Sequence, residues 1–211
     1  SYQNKALKVL LIKSDLEQFQ GLYSLLGDLV GPNEDLEDAP YRVLHDRTGL
    51  QDVYLEQVHT FGNVNRHPSG RVITAAYFSL INSRSTKLQI THNDVAWHRV
   101  ADIKQLAFDH KIILDTCLQR LQEKVMEQPI VFNLLPEKFS LRELQDLYEA
   151  ILGVELDPRN FRKRIMAKGW LVDLNEMEED VPHRPGKLYK LGPGLKKNGR
   201  HAIRMGQKMA V

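Results

Sequence analysis

One cysteine, Cys117, is the only thiol among 211 residues. An intramolecular disulfide is therefore impossible, and a reducing cytoplasm is the expected setting. No apolar run is long enough to span a bilayer and no signal peptide is visible, so no membrane partner is expected. His92, His98 and His110 lack helix-pair or Cys/His spacing, so no zinc site, no other metal and no cofactor is expected. Cys117 sits on the apolar stripe of a predicted helix and reads as a small core residue rather than a nucleophile. What remains is 42% hydrophobic and 27% charged, the composition of a globular chain with one large domain or two small ones.

A formal net charge of +2 hides an asymmetry. Residues 1–129 carry 14 Lys+Arg against 16 Asp+Glu, or −2, while residues 130–211 carry 15 against 11, or +4. From Pro158 onward the count is 13 against 5, or +8. A basic C-terminal third on a slightly acidic body fits either a polyanion partner or a solvated basic tail.

Leu7 to Lys13, LKVLLIK, reads as a buried strand, and Leu22 to Val30 as a strand and turn. A helix follows. Asp35 to Asp38 place negative charge where its macrodipole favours it, Pro40 is tolerable only near its first turn, and Gly49 caps its end. Val53 to Thr60 and Val72 to Ile81 read as strands on either side of the turn-rich loop FGNVNRHPSGR. Gln89 to Arg99 carries a further strand. A helix from about Lys111 to Met126 has Leu114, Cys117, Leu118, Leu121 and Val125 on one stripe. Pro129 closes it.

The second half has the clearer punctuation. Ser140 and Glu143 make a capping-box pattern before Leu144, Leu147, Tyr148 and Ile151, with Gly153 just past the end. Asp157 is the next N-cap and Pro158 the first helical residue of PRNFRKRIMAKG. Two helices joined by a tight connection are a helix-turn-helix layout. At about 100° per residue, Phe161, Ile165 and the stem of Lys168 share the inward face. Arg159, Arg162, Lys163 and Met166 lie toward the other face, with Asn160 and Arg164 at its flanks. So narrow an apolar stripe suits a major groove, where Arg and Lys read guanine and Asn reads adenine. Trp170 to Leu174 and Arg184 to Leu191 read as a hairpin around a loop at Asn175 to Asp180, a wing whose Arg184 and Lys187 can reach phosphates or the minor groove. The tail from Gly192 is basic and glycine-bearing.

Two stretches carry a family resemblance. Gly27 to Leu50, GDLVGPNEDLEDAPYRVLHDRTGL, resembles the Nudix box of pyrophosphohydrolases, with Arg42 on the box arginine, Glu34 on its first glutamate, and Gly49 and Leu50 closing it. The chemical positions depart from the box: Asp28 replaces the first glycine, Val43 the glutamate after the arginine, and Asp46 and Arg47 the paired glutamates. Mg²⁺ demands oxygen ligands, so Val43 offers nothing and Arg47 repels the cation. The box reads as a fold remnant without catalysis: no catalytic residue and no hydrolase activity are expected. Phe61, Gly62, Arg66, Pro68, Gly70, Arg71 and Tyr77 occupy the matching positions of the segment after the box in ADP-ribose-type Nudix proteins.

Residues 27–80 together with FNLLPEKFSLRELQDLYEAILG…RNFRKR resemble the Nudix-related transcriptional regulators, the NrtR family. That resemblance implies an α+β chain: a Nudix-like α/β/α sandwich with a mixed sheet over residues 1–129 and a winged helix domain over 130–211. It implies a homodimer that binds a palindromic double-stranded DNA operator through Arg159, Asn160, Arg162, Lys163, Arg164, Arg184 and Lys187. It implies a small-molecule effector, an arabinose-like sugar or ADP-ribose. The missing acidic positions tilt this choice toward a sugar or metal-free binding. Arg66 and Arg71, flanking one turn, are placed to converge on it, with Glu34, Arg42, Asp46 and Phe61 as further candidates. Arg42 paired to a carboxylate inside the fold is the blander alternative. An active Nudix hydrolase for ADP-ribose or another nucleoside diphosphate is the competing function, and a protein-binding winged helix a third.

Overall fold

The computed structural model describes residues 1–51, 53–68, 70–82, 88, 95–182 and 184–195. Residues 89–94 of one expected strand, with His92, and the tail beyond Leu195 lie outside the described residues.

Contacts divide the chain into two compact units: among described residues one gathers 1–7, 81–82 and 121–195, the other 8–80 and the stretch from 88 to 120. In the second unit β2 (Ala6–Lys13) supplies the organising strand from Lys8 onward. It pairs antiparallel with β3 (Tyr23–Leu25), Leu11 opposite Leu25, and with β6 (Val95–Arg99), Leu11 opposite Ala96. Leu11 is 1% exposed and packs with Leu106 and with Leu114 of α2 (His110–Val125). Burying such a leucine stabilises the fold by roughly 1.5–3 kcal/mol. α1 (Ala39–Thr48) begins one residue before Pro40 and ends on Gly49 at φ 70°, a left-handed cap that favours glycine. The Thr48 side chain is wholly buried and donates to the Leu44 carbonyl at 2.6 Å. β4 (Leu55–Phe61) and β5 (Thr74–Ser79) form an antiparallel pair with an irregularity between Gln57 and His59. Among the described residues every strand pairing is antiparallel, so the parallel neighbour of a mixed sheet is not among them.

The other unit contains the winged helix. A 3₁₀ stretch, Pro129–Leu134, buries Ile130, Val131, Phe132 and Leu134. β7 (Phe139–Ser140) leads directly into α3 (Leu141–Leu152). The capping box forms in full: Ser140 Oγ accepts from the Glu143 N–H and the Glu143 carboxylate accepts from the Ser140 N–H. Leu144, Leu147, Tyr148 and Ile151 are buried, as their spacing demands. α4 (Pro158–Ala167) starts at Asp157, whose carboxylate accepts the Asn160 N–H at 2.8 Å. β8 (Leu171–Met177) and β9 (Lys187–Leu191) complete a three-stranded sheet in the order β7–β9–β8.

Three features differ from the sequence reading. β8 runs through Asn175 to Met177, within the stretch expected as loop; Asn175 takes φ 54° at a register shift, which lets the strand continue past an acidic sequence. Two-residue strands form at Phe139–Ser140 and at β1 (Tyr2–Gln3), which folds back on Ala6 and Leu7 through Asn4 and Lys5 at φ 51° and 58°. The units also divide ahead of Pro129, at Leu121 within α2. The physical tie is direct: Tyr148 donates its hydroxyl to the Val125 carbonyl at 3.0 Å, and Gln122 donates to the Ile151 carbonyl at 2.8 Å.

Candidate nucleic-acid interface and effector region

α4 is held by two side chains. Phe161 and Ile165 are buried, and Phe161 meets the Tyr148 ring edge-on at a centroid distance of 5.2 Å. Every other residue of the helix is exposed, Arg159, Asn160, Arg162, Lys163 and Arg164 included. No described residue forms an ion pair with any of those four cations. The helix itself contains no acid, so its outer surface presents cationic and amide groups with Met166 among them. Lys168 departs from expectation: it is exposed, its ammonium 5.3 Å from the Trp170 ring centroid in a cation–π contact.

The two wing candidates behave differently. Arg184 is exposed in the connection between β8 and β9. Lys187, at the start of β9, is paired with Asp173 of β8 at 2.9 Å. That hydrogen bond raises the lysine's pKa and, with the Asn175 N–H, lowers the aspartate's.

The N-terminal candidates do not converge. Arg66 is almost wholly buried; its Nε and Nη2 donate to the two Asp109 oxygens at 2.8 and 2.7 Å, and Nη1 donates to Thr74. Arg71 donates to the Gly62 carbonyl. The two arginines flank one turn but serve different partners. Phe61 ends β4, its ring edge-on to His59 at 4.8 Å.

Glu34 and Arg42 do meet. Arg42 Nε donates to Oε1 at 2.6 Å and Nη2 to Oε2 at 2.9 Å, a bidentate fork, and Nη2 also reaches the Leu29 carbonyl. Glu34 further accepts the Gly31 N–H at 2.9 Å. Arg42, then that N–H, draw the Glu34 carboxyl down to about 2, and Glu34 raises the Arg42 pKa in turn. Asp46 is more than half exposed, 3.9 Å from Arg42 Nη1. The blander alternative for Arg42, a carboxylate partner inside the fold, is the arrangement present.

Sequence reasoning passed over the group that receives Arg66. Phe108 adopts φ 56°, stacks on His67 at 4.9 Å and touches Phe19 at 4.4 Å. His110 Nδ1 accepts the Leu25 N–H at 3.1 Å, and burial pushes its pKa down to about 4. The run Phe108–Asp109–His110 thus anchors the arginine loop and β3. The sequence signal for it is local: the triplet Phe108–Asp109–His110 stands directly ahead of the helix expected from about Lys111. Among the described residues no helix is long and apolar enough to cross a membrane, and no group of three His, Cys, Asp or Glu side chains is placed to hold a metal.

Comparison with known proteins meets this geometry in both units. Residues 131–191 match the profile of the NrtR DNA-binding winged helix domain. The ADPR responsive transcriptional repressor NtrR of Acinetobacter baylyi is 34% identical over 189 residues, 87% of this chain and 75% of that protein. The crystal structure of Shewanella oneidensis NrtR complexed with a 27mer DNA superposes with a TM-score of 0.79 at 33% identity, covering 92% of this chain and 90% of that one. The NUDIX domain of the same Shewanella protein, complexed with ADP ribose, matches at 33% identity and a TM-score of 0.51 over 57% of this chain and 81% of that one. A third of the residues shared along most of both chains, with a winged helix matched by its own profile, place this chain in the NrtR family.

Proposed function

We propose that this chain is an ADP-ribose-responsive transcriptional repressor that grips a palindromic operator as a homodimer. The observation that carries the reading is α4, anchored by Phe161 and Ile165 alone and cationic over the rest of its surface. A helix with so little to bury and so much uncompensated charge is poor for packing and suited to a major groove. Arg159, Asn160 and Lys163 are the candidates for base edges. Two-fold symmetry puts two such helices one DNA turn, or a multiple, apart.

The effector choice turns on the relatives. The Acinetobacter repressor is named for ADPR and the Shewanella NUDIX domain is bound to ADP ribose, which favours ADP-ribose over an arabinose-like sugar here. The same box argues against hydrolysis. Val43 and Arg47 cannot ligate Mg²⁺, and both Glu34 oxygens are engaged by Arg42. A bound diphosphate would stay intact and act by preference: an effector favouring the dimer geometry that cannot span both half-sites lowers operator affinity by its differential affinity.

The experiment is a gel shift with a duplex selected by the wild-type chain from a random pool. The double substitution Arg162→Ala, Lys163→Ala should weaken binding at least about a hundredfold, each lost contact being worth roughly 1–3 kcal/mol. Its melting temperature should stay at the wild-type value. Undiminished binding refutes the assignment. Release of AMP from ADP-ribose with Mg²⁺ at enzymatic rates would refute the non-catalytic half of it.

A further inference from the structure

The winged unit has a second cationic feature, distinct from the outer face of α4. A groove of about 140 Å³ opens where the start of α3, the flank of α4 and the wing meet. Arg142 comes from α3, Arg162 from α4, and Arg184, Gly186 and Lys187 from the wing; Glu178 is the one acid among the described residues that line it. Its volume matches roughly four or five waters at about 30 Å³ each, so a small hydrated or oxygen-rich group fits.

The charges in it are not equivalent. Lys187 is held by Asp173. Glu178 Oε2 accepts the Gly186 N–H at 2.9 Å, and the Glu178 N–H donates to the Gly186 carbonyl at 2.9 Å, so that acid closes the wing on itself. A Cβ at Gly186 would lie 3.1 Å from that oxygen, so a side chain there would push the Glu178 carboxylate by a few tenths of an ångström. Arg142 and Arg162 remain: both are exposed, and neither forms an ion pair with a described residue. They stand 20 positions apart in sequence, on different helices, and line one concavity. Two guanidinium groups facing a shared recess have the donor geometry for one tetrahedral oxyanion.

α4 also divides its own cations. At about 100° per residue, Arg159 and Lys163 lie nearly opposite Phe161, while Arg162 sits on the wing-side flank. That is the side on which the groove opens.

We propose that this groove seats one backbone phosphate of duplex DNA, held by Arg142 and Arg162 with Arg184 beside it, and that Arg162 reads no base. The inference rests on the DNA-binding function proposed above. Arg142 is then a positioning residue: it fixes the register of α4 on the duplex and is blind to sequence.

The test is fluorescence anisotropy of the full chain on two duplexes of equal length, the selected operator and an unrelated sequence, from low to moderate salt. Arg142→Ala should weaken both by the same factor, about tenfold. The slope of log affinity against log salt should fall by about 0.9. Arg142→Lys should restore the slope. Asn160→Ala should instead weaken the operator and spare the unrelated duplex. Unchanged affinity and slope in Arg142→Ala, or a loss confined to the operator, overturns the groove. A thermal shift by ADP-ribose that wild type shows and Arg142→Ala loses would assign the recess to the effector's diphosphate and overturn it too. Failure of the wild-type chain to bind any duplex would instead overturn the function beneath it. Arg142 is exposed and forms no side-chain hydrogen bond or ion pair with a described residue, so its loss should not move the melting temperature.

Discussion

Arginine does opposite work in the two compact units. In the N-terminal unit Arg66 and Arg42 are each consumed by a carboxylate of the same chain through a two-toothed fork. In the winged unit Arg142, Arg159, Arg162 and Arg164 form no salt bridge with a carboxylate among the described residues. Composition treats the two sets alike. Geometry separates them: a guanidinium whose donors are already filled contributes to stability, whereas one facing solvent keeps its charge for a partner outside the chain. The difference also narrows the effector region, because Arg66, one of the two loop arginines offered by the sequence, is filled by Asp109 and Thr74 and cannot reach a ligand with free donors.

The largest effect should come from emptying the buried fork. The Arg66 side chain is 3% exposed and Asp109 18%, so Arg66→Ala leaves an aspartate without its partner in a largely dry site. The expected loss is about 3–5 kcal/mol in urea unfolding. Arg66→Ala with Asp109→Ala should cost less than Arg66→Ala alone, since the stranded charge is gone. Arg159→Ala, in the other unit, should stay within about 0.5 kcal/mol of wild type in the same assay. Equal losses for Arg66→Ala and Arg159→Ala would erase the contrast.

A pH titration sharpens it from the inward side. His110 can accept the Leu25 N–H only while Nδ1 is unprotonated, and burial lowers its pKa from 6.5 to about 4. Between those values the unfolded chain binds the proton and the folded chain does not. Stability from this group is therefore complete above about pH 6.5 and is lost as pH falls toward 4. The shift corresponds to on the order of 2–3 kcal/mol after allowance for its partial exposure. His110→Asn, which keeps an acceptor and removes the titration, should flatten the unfolding free energy over that window. An unaltered acid limb in the variant would show that His110 is not the group responsible.

Local chemistry was legible in the sequence; long-range pairing was not. Gly49, the Ser140–Glu143 box, Gly153 and the Asp157–Pro158 start are read from residues within four positions of each other, and each forms as its spacing requires. The exposed face of α4 was legible for the same reason, because helical period alone decides it. The Arg66–Asp109 fork spans 43 positions and the Leu25–His110 contact 85, so no window of sequence contains them. The two-residue strand Phe139–Ser140 exists only because β9 lies beside it. Lys187 illustrates the limit best. Its position on the wing could be predicted, but Asp173 lies across a strand pair, and that neighbour decides what the lysine is free to do.

Lys187 is also the sharpest small test, since it is an inward-engaged cation inside the outward-facing unit. If engagement within the chain is what removes a cation from DNA binding, Lys187→Ala should weaken duplex binding by less than about threefold, within roughly 0.5 kcal/mol. It should leave the salt slope nearly unchanged, because an ammonium already held by Asp173 neutralises no phosphate and so releases no counterion. Asp173→Asn makes the converse prediction. It frees the ammonium while keeping a polar side chain that can still accept the Asn175 N–H, and it should steepen the slope by up to about 0.9. A tenfold loss in Lys187→Ala would mean that the aspartate yields the lysine when DNA arrives. Charge pairing in the free chain would then be a poor guide to which cations the duplex uses.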